Sequence, residues 1–485
     1  MMPQPLLALL IPLVGALLPW LLHRSPTVRN AVTLLIPVLL LVTVVKMVPA
    51  VLAGETVAAT LVSIGPGLSF ALEVDALGML FALVTSSLWI LNSIYSFGYM
   101  YPLHGSTFEG QERFWSCFSV AILAAIGIAF SANLLTLFFF YELMTFSTWP
   151  LVSHYRTAEA RRSGRIYLGI LVGSSTLFLL TAIIWTWIIT GTLDFTPGGI
   201  LASSDATPGQ ISMLIMLFFF GAGKSAIFPL HQWLPNAMVA PIPVSALLHA
   251  VAVVKAGVFT VLKIATSVIG TGLLAGSWGA EVVAWTAVFT ILLASLIALT
   301  RQQLKARLAY STISQLNYIV LGAVVAFPAA IEGASLHIAM HAFGKITLFF
   351  AAGAIFVASH KTRVDQLSGI GRRMPWTMTA FLIGTLSTIG LPPLCGMWSK
   401  WLLAEGLVAA HQWAFLGALL LSSLLSIAYL MPICVRAFFC DEQSDTTEHG
   451  EAPWSCRIPL LLSAAACLVL FIWPGIFAQL ARMVR

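Results

Sequence analysis

Apolar residues run along this chain in stretches of about 20 residues or more, the length that crosses a hydrocarbon core of about 30 Å. Fourteen such stretches follow one another, at 3–22, 30–52, 74–96, 114–131, 133–153, 166–191, 210–229, 242–265, 281–300, 307–327, 331–358, 376–404, 412–435 and 457–480. The short alternating strands of a membrane β-barrel are not the pattern. The expected fold is an all-α polytopic membrane protein with 14 transmembrane helices.

The connections are short. The longest, around 53–73 and 436–456, hold fewer than about 25 residues, too few for a soluble catalytic domain. The acidic run CDEQSDTTEHGE (440–451) reads as a solvated loop rather than a partner contact. No Lys or Arg precedes Arg24, so the first stretch lacks the charged start of a secretory signal peptide and is expected to stay as a helix.

Composition agrees: 59% of the 485 residues are hydrophobic and only 9% charged, against roughly 25% charged in soluble domains. The net charge of +6 reflects topology rather than a nucleic-acid partner. Of the 24 Lys and Arg, 16 lie in or beside the odd-numbered loops, among them Arg156, Arg161, Arg162, Arg165, Arg301, Lys305, Arg372 and Arg373. The positive-inside rule places those loops in the cytoplasm and both termini outside, with the cell's inner (plasma) membrane as the expected location. Six cysteines form no C-x-x-C pair and no glycine-rich phosphate loop follows a strand, so no metal or other cofactor is expected.

Six lysines remain inside the stretches: Lys46, Lys224, Lys255, Lys263, Lys345 and Lys400. Lys46 and Lys263 sit near helix ends, where a long side chain reaches the interface. Glu142 lies in mid-span. A charge at the helix centre costs at least about 2.5–3.5 kcal/mol, and a buried pair is rarely a net gain over apolar packing. Glu142, Lys224, Lys255 and Lys400 are therefore read as functional. His337, His341 and Lys345 are spaced i, i+4, i+8 and stack on one helix face, a candidate proton relay. His249, six residues before Lys255, reads equally as a core histidine or as part of that set. His337 and His341 lack a third ligand for a metal.

Helix breaks accompany the charges. Pro229 follows Lys224, and Pro392 and Pro393 precede Lys400, each removing a backbone donor. Broken helices beside intramembrane charges mark ion paths in transporters. Lys224 falls on the seventh stretch and Lys400 on the twelfth, so spans 4–8 and 9–13 are expected to be inverted five-helix repeats. The expected division is 1–113 for helices 1–3, 114–265 and 281–435 for the repeats, and 457–485 for helix 14. The symmetry is loose: Glu142 has no acidic counterpart on the tenth span, which offers hydroxyls, Gln315 and Asn317.

The segments FFFYELMTFSTWPLV, GAGKSAIFPLHQWLPNAMVAPIPVSALLHAVAVVKAGVF, HIAMHAFGKITLFFAAG and GLPPLCGMWSKWLL resemble the antiporter-like subunits of respiratory complex I, Mrp-type cation/proton antiporters and membrane-bound hydrogenases. The resemblance implies the same fourteen-helix fold. It implies that Glu142 pairs with Lys224, that Lys255 connects, that His337, His341 and Lys345 form the histidine–lysine motif, and that Lys400 ends the path. The wording is closest to the D-type Mrp subunit or its hydrogenase counterpart. Lysine at 400 differs from the glutamate of the middle complex I subunit, and a chain ending at 485 is expected to lack the lateral helix of the distal one. The implied function is proton translocation within a complex of several membrane subunits in the lipid bilayer, exchanging protons for Na+, without a redox site of its own. The alternatives are a proton-pumping subunit of a complex I-like or hydrogenase oxidoreductase, or of an inorganic-carbon uptake complex. A purely structural scaffold would not keep these lysines.

Overall fold

The computed structural model describes residues 3–65, 67–105, 108–441 and 450–484, the His249 side chain excepted. Most of the acidic run at 440–451 lies outside the described residues. Among the described residues, eleven helices are long and apolar enough to cross a membrane. They are α1 (Gln4–Leu21), α2 (Pro26–Leu52), α3 (Ala76–His104), α4 (Gln111–Ala129), α5 (Leu134–Val152), α6 (Ala158–Thr190), α9 (Trp278–Thr300), α10 (Leu304–Val325), α11 (Pro328–Ser359), α14 (Trp413–Phe439) and α15 (Trp454–Ile472). Shorter helices complete the set: α7 (Pro208–Gly221), α8 (Val253–Ile264), α12 (Pro375–Ile389), α13 (Gly396–Ala409) and α16 (Gly475–Met483).

Local chemistry sets several of the starts. Asp75, Asn133 and Thr157 cap α3, α5 and α6 by accepting the main-chain N–H groups of Gly78, Thr136 and Ala160. Thr207 and Gln210 form a reciprocal capping box at α7. These side chains satisfy donors that a helix end leaves unpaired. Because α6 starts at Ala158, Arg161, Arg162 and Arg165 belong to its first turns rather than to a loop.

The 53–73 connection contains a hairpin that hydrophobic run length does not reveal. Strand β1 (Val57–Gly65) pairs antiparallel with β2 (Leu68–Val74), Val57 opposite Val74. Leu72 and Val74 are buried. The Glu73 N–H donates to the Phe130 carbonyl (2.7 Å) and the Ala132 N–H to the Ala71 carbonyl (3.0 Å), tying the hairpin to the α4–α5 turn.

The core centres on α11, which packs against α3, α10, α12, α13, α15 and α16. Nearly every residue from Ala330 to Ile355 is buried. By contrast, α1 and α2 expose Leu13, Leu17, Leu35 and Leu39, as lipid-facing helices do. Polar groups on α11 therefore meet protein rather than lipid.

The three remaining predicted stretches, 210–229, 242–265 and 376–404, are segmented. The break in the first comes earlier than Pro229 suggests: α7 stops at Gly221, and Lys224 lies in a short 3₁₀ turn, Gly223–Ser225. Ala226 there is left-handed (φ 57°). Close packing accounts for the position, because a Cβ on Gly221 would collide with Leu179 of α6 and one on Gly257 of α8 with the Lys224–Ser225 backbone. In 376–404, the chain leaves α12 at Ile389 and resumes at Gly396, as Pro392 and Pro393 suggest. Gly390 turns it at φ +91°, and a Cβ there would lie 2.7 Å from Lys400 Cδ. The 242–265 stretch contains a π-helical turn, Leu247–Val251, before α8.

Gly257→Ala is expected to destabilise the protein. Overpacking costs about 1–3 kcal/mol, more than the about 1 kcal/mol of helix propensity that alanine returns. A lowered thermal unfolding midpoint in detergent checks this; an unchanged midpoint would mean that α8 and the broken segment part freely.

Candidate functional site

Lys224 is fully buried, and α5 supplies its surroundings. Its Nζ donates to the Tyr141 carbonyl (2.9 Å) and to Thr145 Oγ1 (2.7 Å). The ammonium lies over the Tyr141 ring, 3.2 Å from its centroid, a cation–π contact. Tyr141 and Thr145 share a helix face at i, i+4. The expected ion pair with Glu142 is not formed among the described residues. One residue along a helix turns the side chain by about 100°, so Glu142 leaves that face and stays half-buried with Oε1 unpartnered.

The unwound segment has its backbone satisfied by neighbours. The Lys224 N–H donates to Tyr141 Oη (3.1 Å) and the Phe228 N–H to Thr290 Oγ1 (3.1 Å). Trp233 Nε1 donates to the Gly223 carbonyl (3.1 Å), and Asn317 Nδ2 to that of Ala226 (3.4 Å).

A second group of side chains runs through the bundle centre. Lys255 Nζ lies 2.7 Å from His341 Nδ1. The His341 and His337 rings stack at 5.4 Å and 22°. His337 Nδ1 is 2.7 Å from Ser399 Oγ, the residue before Lys400. Tyr318 stacks on His337 at 5.9 Å, and the Lys400 ammonium lies 5.0 Å from the same Tyr318 ring. Lys400 Nζ also donates to the Ile389 carbonyl (3.0 Å), the last residue of α12, and to Ser423 Oγ (3.2 Å). A helix C-terminus favours a cation in that place.

Lys345 leaves the expected column. Its Nζ donates to Ser311 Oγ on α10 (2.7 Å), which also accepts from Tyr429 Oη (3.0 Å). The spacing i, i+8 leaves residues about 80° apart around a helix: Lys345 reaches Ser311 of α10, His341 meets Lys255 of α8, and His337 meets Ser399 of α13 and Tyr318 of α10. Lys263 does not snorkel: it forms an ion pair with Asp75, Nζ to Oδ2 at 2.6 Å. The His249 side chain lies outside the described residues. His337 and His341 each place Nδ1 against a different neighbour, Ser399 and Lys255, and leave Nε2 unpartnered.

Several buried polar atoms on the helices and the break that carry these groups have no protein partner: His337 Nε2, His341 Nε2, both side-chain polar atoms of Gln315, Asn317 Oδ1, Thr260 Oγ1 and Ser225 Oγ. Sequence reasoning missed Tyr141, Thr145, Tyr318, Ser311 and Ser399. A usable signal existed for the tyrosines: Tyr141 and Tyr318 are 177 residues apart, and the lysines they contact, Lys224 and Lys400, are 176 apart.

Residues 131–426 match the family described as NADH:quinone oxidoreductase/Mrp antiporter, transmembrane. The chain is 34% identical over 347 residues to NAD(P)H-quinone oxidoreductase chain 5 of Picosynechococcus sp., covering 67% of this chain and 50% of that one. It is 31% identical over 419 residues to a protein of Rhizobium meliloti named as a probable K(+)/H(+) antiporter subunit, covering 84% of this chain and 41% of the relative. The chain thus spans half the length, or less, of these two relatives. Its fold matches a chain in the structure of the Mrp complex from Dietzia sp. with a TM-score of 0.87 at 20% identity, covering 100% of this chain and 97% of that chain.

Tyr141→Phe is expected to leave the Lys224 N–H without its acceptor and to cost about 1–3 kcal/mol. Because the ammonium keeps its main-chain and Thr145 acceptors, the loss is read as a drop in thermal stability. Wild-type stability would mean that the hydroxyl does not support the break.

Proposed function

The chain belongs to the NADH:quinone oxidoreductase/Mrp antiporter transmembrane family, and on that premise we propose that it is a proton-translocating subunit of an Mrp-type monovalent cation/proton antiporter. The observation that carries the reading is the file Lys255–His341–His337–Ser399–Lys400, in which successive groups are in hydrogen-bond, stacking or chain contact. Charged groups this far from solvent are costly and mark ion pathways.

In this reading Lys224 is the loading group, held by Tyr141 and Thr145 until its proton is passed inward. Lys255 hands a proton to His341 across their short contact, and imidazole relays it toward His337 and Lys400. Ordered water bridging the unpartnered atoms of Gln315, Asn317, Thr260 and the two histidines completes the path, since each offers a polar partner. Glu142 modulates Lys224 through space rather than by direct pairing. Coulomb coupling is strong at low effective dielectric, so adding one charge alters the proton affinity of its neighbours.

Two lysine–tyrosine contacts, Lys224 with Tyr141 of α5 and Lys400 with Tyr318 of α10, support the division into repeats at 114–265 and 281–435. Both termini face outward across the plasma membrane, and other membrane subunits adjoin the chain. The antiporter reading is supported by the 84% coverage of this chain in the alignment with the Rhizobium protein. The quinone oxidoreductase name of the Picosynechococcus relative favours a second reading, a proton-pumping subunit driven by electron flow elsewhere. Identifying the copurifying subunits separates the two: small membrane-embedded neighbours support the antiporter, hydrophilic iron–sulfur proteins the pump.

Lys224→Ala is expected to abolish proton transport in reconstituted vesicles while the complex still assembles; wild-type rates refute the assignment. Substituting His341 by alanine should cut transport about 100-fold or more, the low end for a positioned proton-transfer group. Lys345→Ala, off the file, should cost less. Equal losses would place Lys345 within the relay.

A further inference from the structure

A second polar site lies apart from the central file. The C-terminal end of α3, the start of α4 and the segment after α5 enclose a cavity of about 320 Å³ lined by His104, Phe108, Glu109, Arg113, His154, Tyr155 and Arg156. Four of the seven are basic and one is acidic. That one, Glu109, is engaged on the exposed rim by Arg156 NH1 at 2.8 Å. Among the described residues no carboxylate is paired with Arg113.

The deeper wall is unsatisfied. Arg113 Nε and His154 Nδ1 are both buried with no hydrogen-bond partner, and His154 as a whole is only 8% exposed. A buried donor without an acceptor costs about 1–3 kcal/mol, more when it is charged. The His154 ring cannot turn away easily, because Phe108, Phe114 and Tyr155 pack edge-on against it at 5.5–5.9 Å. Burial, and then the positive charges of Arg113, His104 and Arg156, hold its pKa down to about 4. The cavity thus gathers positive potential and hydrogen-bond capacity that Glu109, committed to Arg156, answers only in part.

We propose that this cavity binds a phosphate-type anion: the headgroup phosphate of an acidic phospholipid or a free phosphate ion. The planar Arg113 guanidinium suits phosphate oxygens bidentately, and the same anion would accept from His154 when the ring carries its proton on Nδ1. The location fits the lipid source. These residues follow or precede membrane-crossing helices on the face that carries the basic loops, where pockets of Arg and Lys between helix ends take lipid headgroups. The site is independent of the transport reading and does not use any residue of the central file.

The test uses the purified full chain with its complex in nanodiscs. One arm counts phosphatidylglycerol against phosphatidylcholine retained on the protein by native mass spectrometry. The other measures inorganic phosphate binding by equilibrium dialysis against chloride. Selective retention of phosphatidylglycerol supports the lipid source and saturable phosphate binding the free ion. In either case Arg113→Gln should lower it at least tenfold, with His154→Gln reducing it less. A thermal unfolding midpoint of the Arg113→Gln variant equal to wild type shows that the protein is folded. Should that variant fail to fold, His154→Gln carries the comparison. No selectivity in either arm, or binding undiminished in both variants, overturns the proposal.

Discussion

The hydrocarbon core of a bilayer offers no bulk water, so each backbone group released where a transmembrane helix stops must be satisfied by the protein or by water bound within it. Both breaks meet that requirement with the residues that also hold the charges. At the first, Tyr141 takes the Lys224 N–H through its hydroxyl while its carbonyl and ring hold the Lys224 ammonium. At the second, the end of α12 leaves the Ile389 carbonyl free, and the Lys400 ammonium occupies it. The Cys395 N–H finds the Cys467 carbonyl on α15 at 3.0 Å. Break and charge are thus one unit: the stop creates acceptors that would be costly alone, and the lysine brings donors that would be equally so.

The acceptors chosen inside the bundle are neutral. Carbonyls, hydroxyls, an imidazole and aromatic faces surround Lys224, Lys255, Lys345 and Lys400, whereas ion pairs such as Arg156–Glu109, Arg363–Asp365 and Arg482–Glu332 lie toward the rim. Lys263–Asp75 is the most buried of these and still leaves Asp75 partly open. A carboxylate partner would add a second desolvated charge. Dipolar partners hold a cation while letting it move between similar sites, which suits the proton loading and release proposed for these lysines.

Run length and the scarcity of charge made the membrane class legible, because both follow from the hydrocarbon thickness. The lysines and histidines stood out for the same reason: each is an outlier in apolar surroundings. Tyr141, Thr145, Ser311 and Ser399 did not, since hydroxyl residues are ordinary in membrane helices and their importance is a distance between two elements. Lys263 was misread because its partner lies 188 residues away. The Glu142–Lys224 pair was misjudged because charge complementarity does not say which helix face each side chain leaves. The hairpin at 57–74 escaped attention because one short amphipathic pair carries little signal beside fourteen long apolar stretches.

Helix α11 runs unbroken for 32 residues. At 1.5 Å per residue that is about 48 Å, well beyond a hydrocarbon layer of about 30 Å. Such a rod leans or protrudes. If the rod leans, a charge passed from His341 to His337 in the proposed relay is displaced partly in the plane of the sheet of lipids, and only the remaining component crosses the electric field. In the proposed relay the transmembrane voltage would then work on only a fraction of that step, the rest running sideways within the bilayer.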